Sequence, residues 1–585
     1  MRLLSPPRRL AGLLALACLA AAPPDASAPI PLAVQAERCT FVVPTGDARD
    51  KFVLIVGCLA RGQEMHRIRV HCEATNDDVL LPIADDDPGP EWRRITNDRA
   101  DRQQKARKNH QPAADYPPSA DPPRQRSFRL FTGGFDFNNG EAFAAVRAEL
   151  RGIGRHCLVY VDSQSVESAD FMSTVDEVIR TFDEQVFPAS RSEQARCLDV
   201  DRDGRFAILF SGRLARMTAG KGTLSGFVLG SDFYRDSRAP FGNRCDMLYL
   251  NTDLRPGPYL RTLIAHEYTH AIVFSEHVFG DYLPGVARVE EENWLNEGLA
   301  HLAEQRHAFG WGNLDYRVSA FLASPQRHPL VVADYYGAGL WRDPGCRGAT
   351  YLLLHTCACG DAGLSEKLVR SNLCGVANLE AATRESFAAL FRNWTVSLAA
   401  GGIPGGHDLF RPLGNRMLCG VRKDEVTLSG GRWESQIAGT ASAYLLLHDP
   451  ASGRNRVTIQ ADEGSELQVT LVPLPADLPR LTLRADRLKP GTYRLILTAN
   501  DAAVTLDDAV WEAMAPVGGP NETSFRPGNL AAERVRSWFG NANLAAGEQR
   551  ISGPIEVPAS TGRWLFKVSG HDSKGRNVSA SVEVE

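Results

Sequence analysis

Residues 266–270 read HEYTH and residues 293–304 read NWLNEGLAHLAE. Together these stretches constrain the fold most, because their ionisable groups lie among apolar residues and need one another as partners. The first lies within PYLRTLIAHEYTHAIVFSEH, where Pro258 suits a first helical turn and Leu260, Ile264, Ala271 and Phe274 recur at helical spacing. At 3.6 residues per turn, His266 and His270 leave the helix on one side, one turn apart, so both imidazoles can reach one Zn2+ at about 2.0–2.1 Å. Glu267 stands where it can touch a water on that cation. A catalytic zinc needs a third protein ligand and an open position, and Glu297 on the second helix is the candidate. Two histidines satisfied within an ordinary helix are the competing reading, and they leave the second glutamate-bearing helix unexplained.

The chain has 585 residues, enough for several domains, with 43% hydrophobic and 23% charged residues, a globular composition. Its net charge of −5 is small and its basic residues are spread out, so no nucleic-acid partner is expected. Arg2, Arg8 and Arg9 precede LAGLLALACLAAA and then PPDASA, the order of a secretory signal peptide over 1–28. That apolar run is too short to span a membrane, and no later segment reaches the ~18 apolar residues a span needs. The expectation is a secreted protein, extracellular or periplasmic, with no integral membrane association. Export makes disulfides the default for the cysteines other than Cys18, over a structural zinc site at Cys346, Cys357, Cys359 and Cys374, whose spacing lacks paired knuckles.

Short β-rich runs, TFVVPTG, KFVLIVGCLA, HRIRVHCEA and DVLLPIA, predict a small β domain over 29–83, followed by a charged, proline-rich linker or pro-segment over 84–127. From FRLFTGG onward helices and strands alternate: GEAFAAVRAELRGIG and SADFMSTVDEVIRTFDEQVFP have helical spacing, and HCLVYVD, GRFAILF and CDMLYLN read as strands. This predicts an α+β domain over 128–419. Regular strands with Gly, Pro and Asp turns then predict a β-sandwich over 420–516 and a second small β module over 517–585. These modules are expected to permit surface or polysaccharide contact.

HEYTH followed by WLNEGLA resembles the gluzincin metallopeptidases, and the stretch 128–400 is similar to the hyicolysin-like secreted neutral metallopeptidases. The resemblance implies a zincin-like catalytic domain, a mixed sheet with active-site helices, within an α+β multidomain chain. It implies His266, His270 and Glu297 as zinc ligands, Glu267 as general base and proton shuttle, and a protein or peptide substrate. Relatives place a Tyr or His just ahead of a Gly-containing helix to stabilise the oxyanion, whereas DPGCR precedes Gly348 here. Tyr335 and Tyr336 are the nearest phenols, with Arg347 and His301 as other donors. His301 and Glu304 are candidates for orienting the ligands from behind. Without a GxMEN-like motif to hold a substrate amine, an endopeptidase is favoured over an aminopeptidase, and CDMLYLN is a candidate edge strand for an extended substrate. A non-catalytic cell-surface or polysaccharide-binding protein with a degenerate zincin domain is the rival from another class.

Asp199, Asp201 and Asp203 with Gly204 imitate the start of a calcium loop, but Phe210 occupies the twelfth position, where a bidentate Glu belongs. A tight acidic turn is the favoured reading, with Ca2+ as the alternative. Asn393, Asn521 and Asn577 stand in N-x-S/T triplets that are common by chance.

Overall fold

The computed structural model describes residues 28–45, 51–84, 116–133, 138–192, 197–216, 224–279, 290–341, 343–371, 373–399, 420–449, 453–474, 478–513, 531–557 and 564–584. The expected signal peptide, all but its last residue, and most of the 84–127 stretch lie outside them. The chain is α+β, with several sheets. Among the described residues, no helix is long and apolar enough to cross a membrane.

The N-terminal strands β1 (Ile30–Leu32), β2 (Arg38–Thr45), β3 (Lys51–Cys58) and β4 (Met65–Ala74) do not form a domain of their own. They share two sheets with β11 (Asp424–Thr427), β12 (Arg432–Ala438), β13 (Ser442–His448), β14 (Gly453–Ala461) and β15 (Leu467–Leu474), in the orders β1-β15-β3-β13-β11 and β12-β4-β14-β2. The boundary expected between the 29–83 and 420–516 units is therefore not a boundary of the fold. Strand β3 shows why. Leu54 and Val56 face the sandwich core with Leu445, Leu447, Val469 and Leu471. Val53 and Ile55, on its other face, join the core of the helical unit with Tyr444, Leu446 and Val472. A strand buried on both faces must be apolar throughout, which accounts for the run FVLIV.

The middle of the chain supplies β5 (Gln125–Phe131), β6 (Phe143–Ile153), β7 (Cys157–Asp162), β8 (Phe206–Phe210), β9 (Gly226–Phe227) and β10 (Met247–Leu250), in the order β5-β6-β7-β8-β10-β9. β8 runs parallel to β7 and β10, and β9 closes the sheet antiparallel to β10. CDMLYLN, expected as an edge, is thus an interior strand; the edge beside it is β9. GEAFAAVRAELRGIG, expected as a helix, is a 3-10 turn and then β6. Phe143, Val146 and Ala148 are buried while Ala145 and Arg147 are exposed, and pairing on both sides with β5 and β7 overrides the helical propensity of its alanines and leucine.

One face of this sheet is covered by α1 (Phe171–Thr181), α2 (Phe187–Ser192) and α3 (Pro258–Phe279), with Val159, Ile208 and Leu248 packed under Val175, Val178, Leu260 and Ile264. Beyond α3 lie α4 (Asn293–His307), α5 (Gly312–Ala323), α6 (Pro344–Gly360), α7 (Leu364–Val369), α8 (Gly375–Thr383) and α9 (Phe387–Ala399). The Thr440 hydroxyl ties the first sandwich to this layer by accepting from the Leu330 and Val331 amides. The remaining strands, β16 (Arg480–Lys489), β17 (Thr492–Asn500), β18 (Val504–Ala513), β19 (Asn543–Leu544), β20 (Gln549–Ile551), β21 (Ile555–Glu556), β22 (Trp564–Asp572) and β23 (Asn577–Val584), form a second sandwich with α10 (Ala531–Phe539). The strands β16–β18, expected with the 420–516 unit, belong here instead. Lys567 on β22 donates to Ser319 of α5 at 2.8 Å in a buried contact.

Disulfides are absent among the described residues, where ten cysteines are free thiols. Cys39 and Cys72 lie opposite Ile459 and Val457 of β14, so that strand stands between them and keeps their sulfurs apart. They serve as small apolar core residues.

Candidate metal centre

Helix α3 presents His266, Glu267 and His270, all buried, toward α4. Helix α4 starts at Asn293 and crosses close to α6, because Gly298 offers no Cβ to meet Leu354 and Thr350; a Cβ there would lie 2.6 and 2.7 Å from their side chains. This approach sets Glu297 opposite the two histidines. His266 Nε2 and His270 Nε2 are 3.1 Å apart, and Glu297 Oε2 is 3.4 Å from the first and 4.0 Å from the second. Ligands at about 2.0–2.2 Å from one tetrahedral zinc would be roughly 3.3–3.5 Å from each other, so the triangle has the size such a cation requires.

The outer atoms fix which nitrogen faces inward. His266 Nδ1 is 2.7 Å from Glu304 Oε1 and His270 Nδ1 is 2.9 Å from Asn296 Oδ1. Both partners are acceptors, so each Nδ1–H donates and each Nε2 keeps its lone pair for the centre. Glu297 is divided in the same way. Its Oε1 pairs with Arg347 Nη2 at 2.8 Å, while its Oε2 is buried with no hydrogen-bond partner. A buried, unpaired carboxylate oxygen is costly, and a cation among these three atoms would satisfy it. The donor set, two imidazoles and one carboxylate, fits Zn2+.

The electrostatics fit the same picture. Burial works against a charge on His266, but the contacts with Glu297 and Glu304 outweigh it and raise the ring to about 10. Burial, followed by the charge on His266, lowers His270 to about 4. Against its burial, Arg347 and then His266 hold Glu297 well below the usual carboxylate range. Burial pushes Glu267 up to about 7, opposed by His266.

His301 and Glu304, expected behind the ligands, are both fully buried there. Glu304 Oε1 accepts from His266 Nδ1, from His301 Nδ1 at 2.9 Å and from Asn313 Nδ2 at 2.8 Å. His301 Nε2 is 4.0 Å from Glu297 Oε2 and has no hydrogen-bond partner. Tyr335 is 1% exposed and its hydroxyl is buried without a hydrogen bond, whereas Tyr336 is 40% exposed and stacks on Trp341. Crowding by protein atoms, opposed by Arg347 and reinforced by Glu297 and Glu267, pushes the Tyr336 phenol up to about 12. Arg347, considered as an oxyanion donor, is instead engaged by Glu297. Asn296 and Asn313 were not anticipated. Asn296 stood inside the quoted NEG stretch, but nothing in the sequence marks Asn313.

Asp199, Asp201 and Asp203 do converge. Asp199 Oδ2 accepts from the Gly204 amide at 3.0 Å and Asp203 Oδ1 from the Arg205 amide at 2.8 Å. Buried Asp246, directly before β10, accepts from the Val200 amide at 2.9 Å and groups with Asp201 and Cys245, which adds a carboxylate that the loop pattern did not supply. Arg126 pairs with Asp201 Oδ2, while Asp199 Oδ1 and Asp201 Oδ1 are buried without hydrogen-bond partners. Burial, followed by the charge on Asp201, raises Asp203 to about 6. Groups of residues that can hold a metal ion are thus present at both places.

No protein-family model matches the chain, and no curated protein matches it.

Proposed function

We propose that the chain is a secreted zinc-dependent endopeptidase of the gluzincin type, with a zincin-like catalytic unit resembling the hyicolysin-like neutral metallopeptidases. The observation that carries this reading is Glu297 Oε2, buried and unpartnered, facing the Nε2 atoms of His266 and His270. Zinc held by His266, His270 and Glu297 would supply a Lewis acid and lower the pKa of a bound water to about 7. The protein's own residues do the rest. His266 and His270 are locked in the tautomer that ligates through Nε2, and Arg347 keeps Glu297 turned so that one oxygen faces in. Glu267, next to His266 and poised near 7 in the metal-free chain, takes the proton of the attacking water and returns it to the leaving amine. Tyr336 is the candidate donor to the developing oxyanion, since Tyr335 is enclosed. An extended peptide would pair along β9, where the position of a Cβ on Gly226 is 3.4 Å from Leu263 of α3.

The test is metal content and casein hydrolysis together. One zinc per chain is expected, lost with activity in Glu297→Ala. Glu267→Gln should keep the zinc and lose about 2–4 orders of magnitude in turnover. A folded chain without zinc sinks the proposal, and unchanged turnover in Glu267→Gln removes that residue as the base. Release of single N-terminal residues, with no internal cuts, would favour the aminopeptidase; zinc without hydrolysis would favour a binding role.

The Asp199, Asp201 and Asp203 cluster supports Ca2+ as a second, structural ion: among the described residues its carboxylates have one cationic partner, Arg126, and two of their oxygens are left unsatisfied.

A further inference from the structure

At the N-terminus of α6, His328, Asp343 and Cys346 bring one nitrogen, one oxygen and one sulfur within 4.8 Å of one another. Asp343 caps the helix, its Oδ1 accepting from the Cys346 amide at 2.9 Å. The same oxygen lies 2.9 Å from His328 Nδ1, yet that nitrogen is buried without an aligned hydrogen-bond partner. A cap alone does not explain the ring's place. His328 rests directly on Gly345, where a Cβ would lie 2.4 Å from three of its ring atoms, so the ring is admitted only because that residue is glycine. Cys346 is fully buried, while the side chains of His328 and Asp343 are 14% and 25% exposed, leaving a solvent side from which an ion can arrive.

We propose that these three side chains form a further metal site, separate from the HEYTH centre and from the aspartate cluster, and selective for a thiophilic divalent cation of the zinc class. Thiolate, imidazole and carboxylate are the zinc donors, and a water would complete four-coordination on the open side. On binding, the Cys346 thiol loses its proton to solvent and the sulfur–metal bond forms, so one proton is released per ion. The positive end of the α6 dipole favours the anionic donors before the ion arrives. Arg347 follows Cys346 directly, so an ion here would pin the turn whose guanidinium holds Glu297 Oε1.

The test is titration of the metal-free full-length chain with Co2+, followed optically. Two cobalt ions per chain are expected, one of them with a near-ultraviolet thiolate-to-cobalt charge-transfer band. Cys346→Ser should abolish the band and one equivalent. His328→Gln should weaken the same site about 100-fold or more, since even outer partners of a ligand cost 10–100-fold. His266→Ala should remove the other equivalent and leave the band, which separates this site from the catalytic reading. A wild-type chain without the band, or a band that persists in Cys346→Ser, overturns the proposal. If circular dichroism shows Cys346→Ser unfolded, His328→Gln decides, and an unaltered band titration in that variant overturns the proposal.

Discussion

Glu304 meets His266 at Nδ1, the nitrogen turned away from Glu297, and His266, His301 and Asn313 all donate to it. Replacing it by Gln keeps the shape but turns a charged acceptor into an amide, which weakens the hold on the His266 tautomer. Zinc affinity, measured by competition with a chelator, should fall by about 10–100-fold; an unchanged affinity would show that Glu304 is merely buried. The aspartate cluster allows a pH test. Asp203 is raised to about 6 from an unfolded value near 3.9, so the folded chain binds more protons than the unfolded one in between. Its contribution to stability is present below about pH 4 and is lost as pH rises through about 6. Calcium should therefore raise the melting temperature more at pH 7 than at pH 5, and equal shifts at both would reject calcium as the relief of that repulsion. At this scale the shared face of HEYTH was legible because spacing on a helix is local, whereas the places of Asp246 and Asn313 were not, because they are set by the packing of remote elements.

Two glycines set the separations of the helices behind the centre. A Cβ on Gly348 would lie 2.2 Å from the backbone oxygen of Arg317 on α5, whereas one on Gly298 would meet only side-chain ends. Alanine is intrinsically better than glycine in a helix by about 1 kcal/mol, and overpacking costs about 1–3 kcal/mol. A backbone carbonyl cannot rotate away, so at Gly348 the clash should win. Net of the propensity gain, Gly348→Ala is expected to lower unfolding free energy by about 1–2 kcal/mol in denaturant melts, and Gly298→Ala by less. A stabilised Gly348→Ala would mean that α5 and α6 part freely. Most strands and helices were legible as elements from their periodicity. β6 was misread because Phe143, Val146 and Leu150 also fit a helical stripe, and only its two sheet neighbours decide between the two.

Chain order and spatial order differ most at the scale of the whole molecule. β3 lies between β13 and β15, and its Val53, Leu54, Ile55 and Val56 are all 2% exposed or less. At about 1.5–3 kcal/mol each, these four side chains match the entire margin of a typical domain, about 5–15 kcal/mol. A chain beginning after residue 84 should therefore be insoluble or lack a cooperative melt. A soluble, zinc-binding product would show that β1–β4 are dispensable, as a separate domain would be. The single-domain reading of 29–83 followed from composition and proximity in sequence, which cannot reveal pairing across the intervening helical unit.

By itself, the sequence determined which candidate residues share one helix face, because a helix repeats every 3.6 residues and so places His266, Glu267 and His270 whatever surrounds them. It likewise marked Glu297 as the carboxylate of a second helix. Only the tertiary structure decided which oxygen of Glu297 is free, which nitrogens of the histidines face inward, and that β9 rather than β10 borders the sheet. Those outcomes depend on contacts between segments far apart in the chain, and such contacts leave no periodic trace in the order of residues.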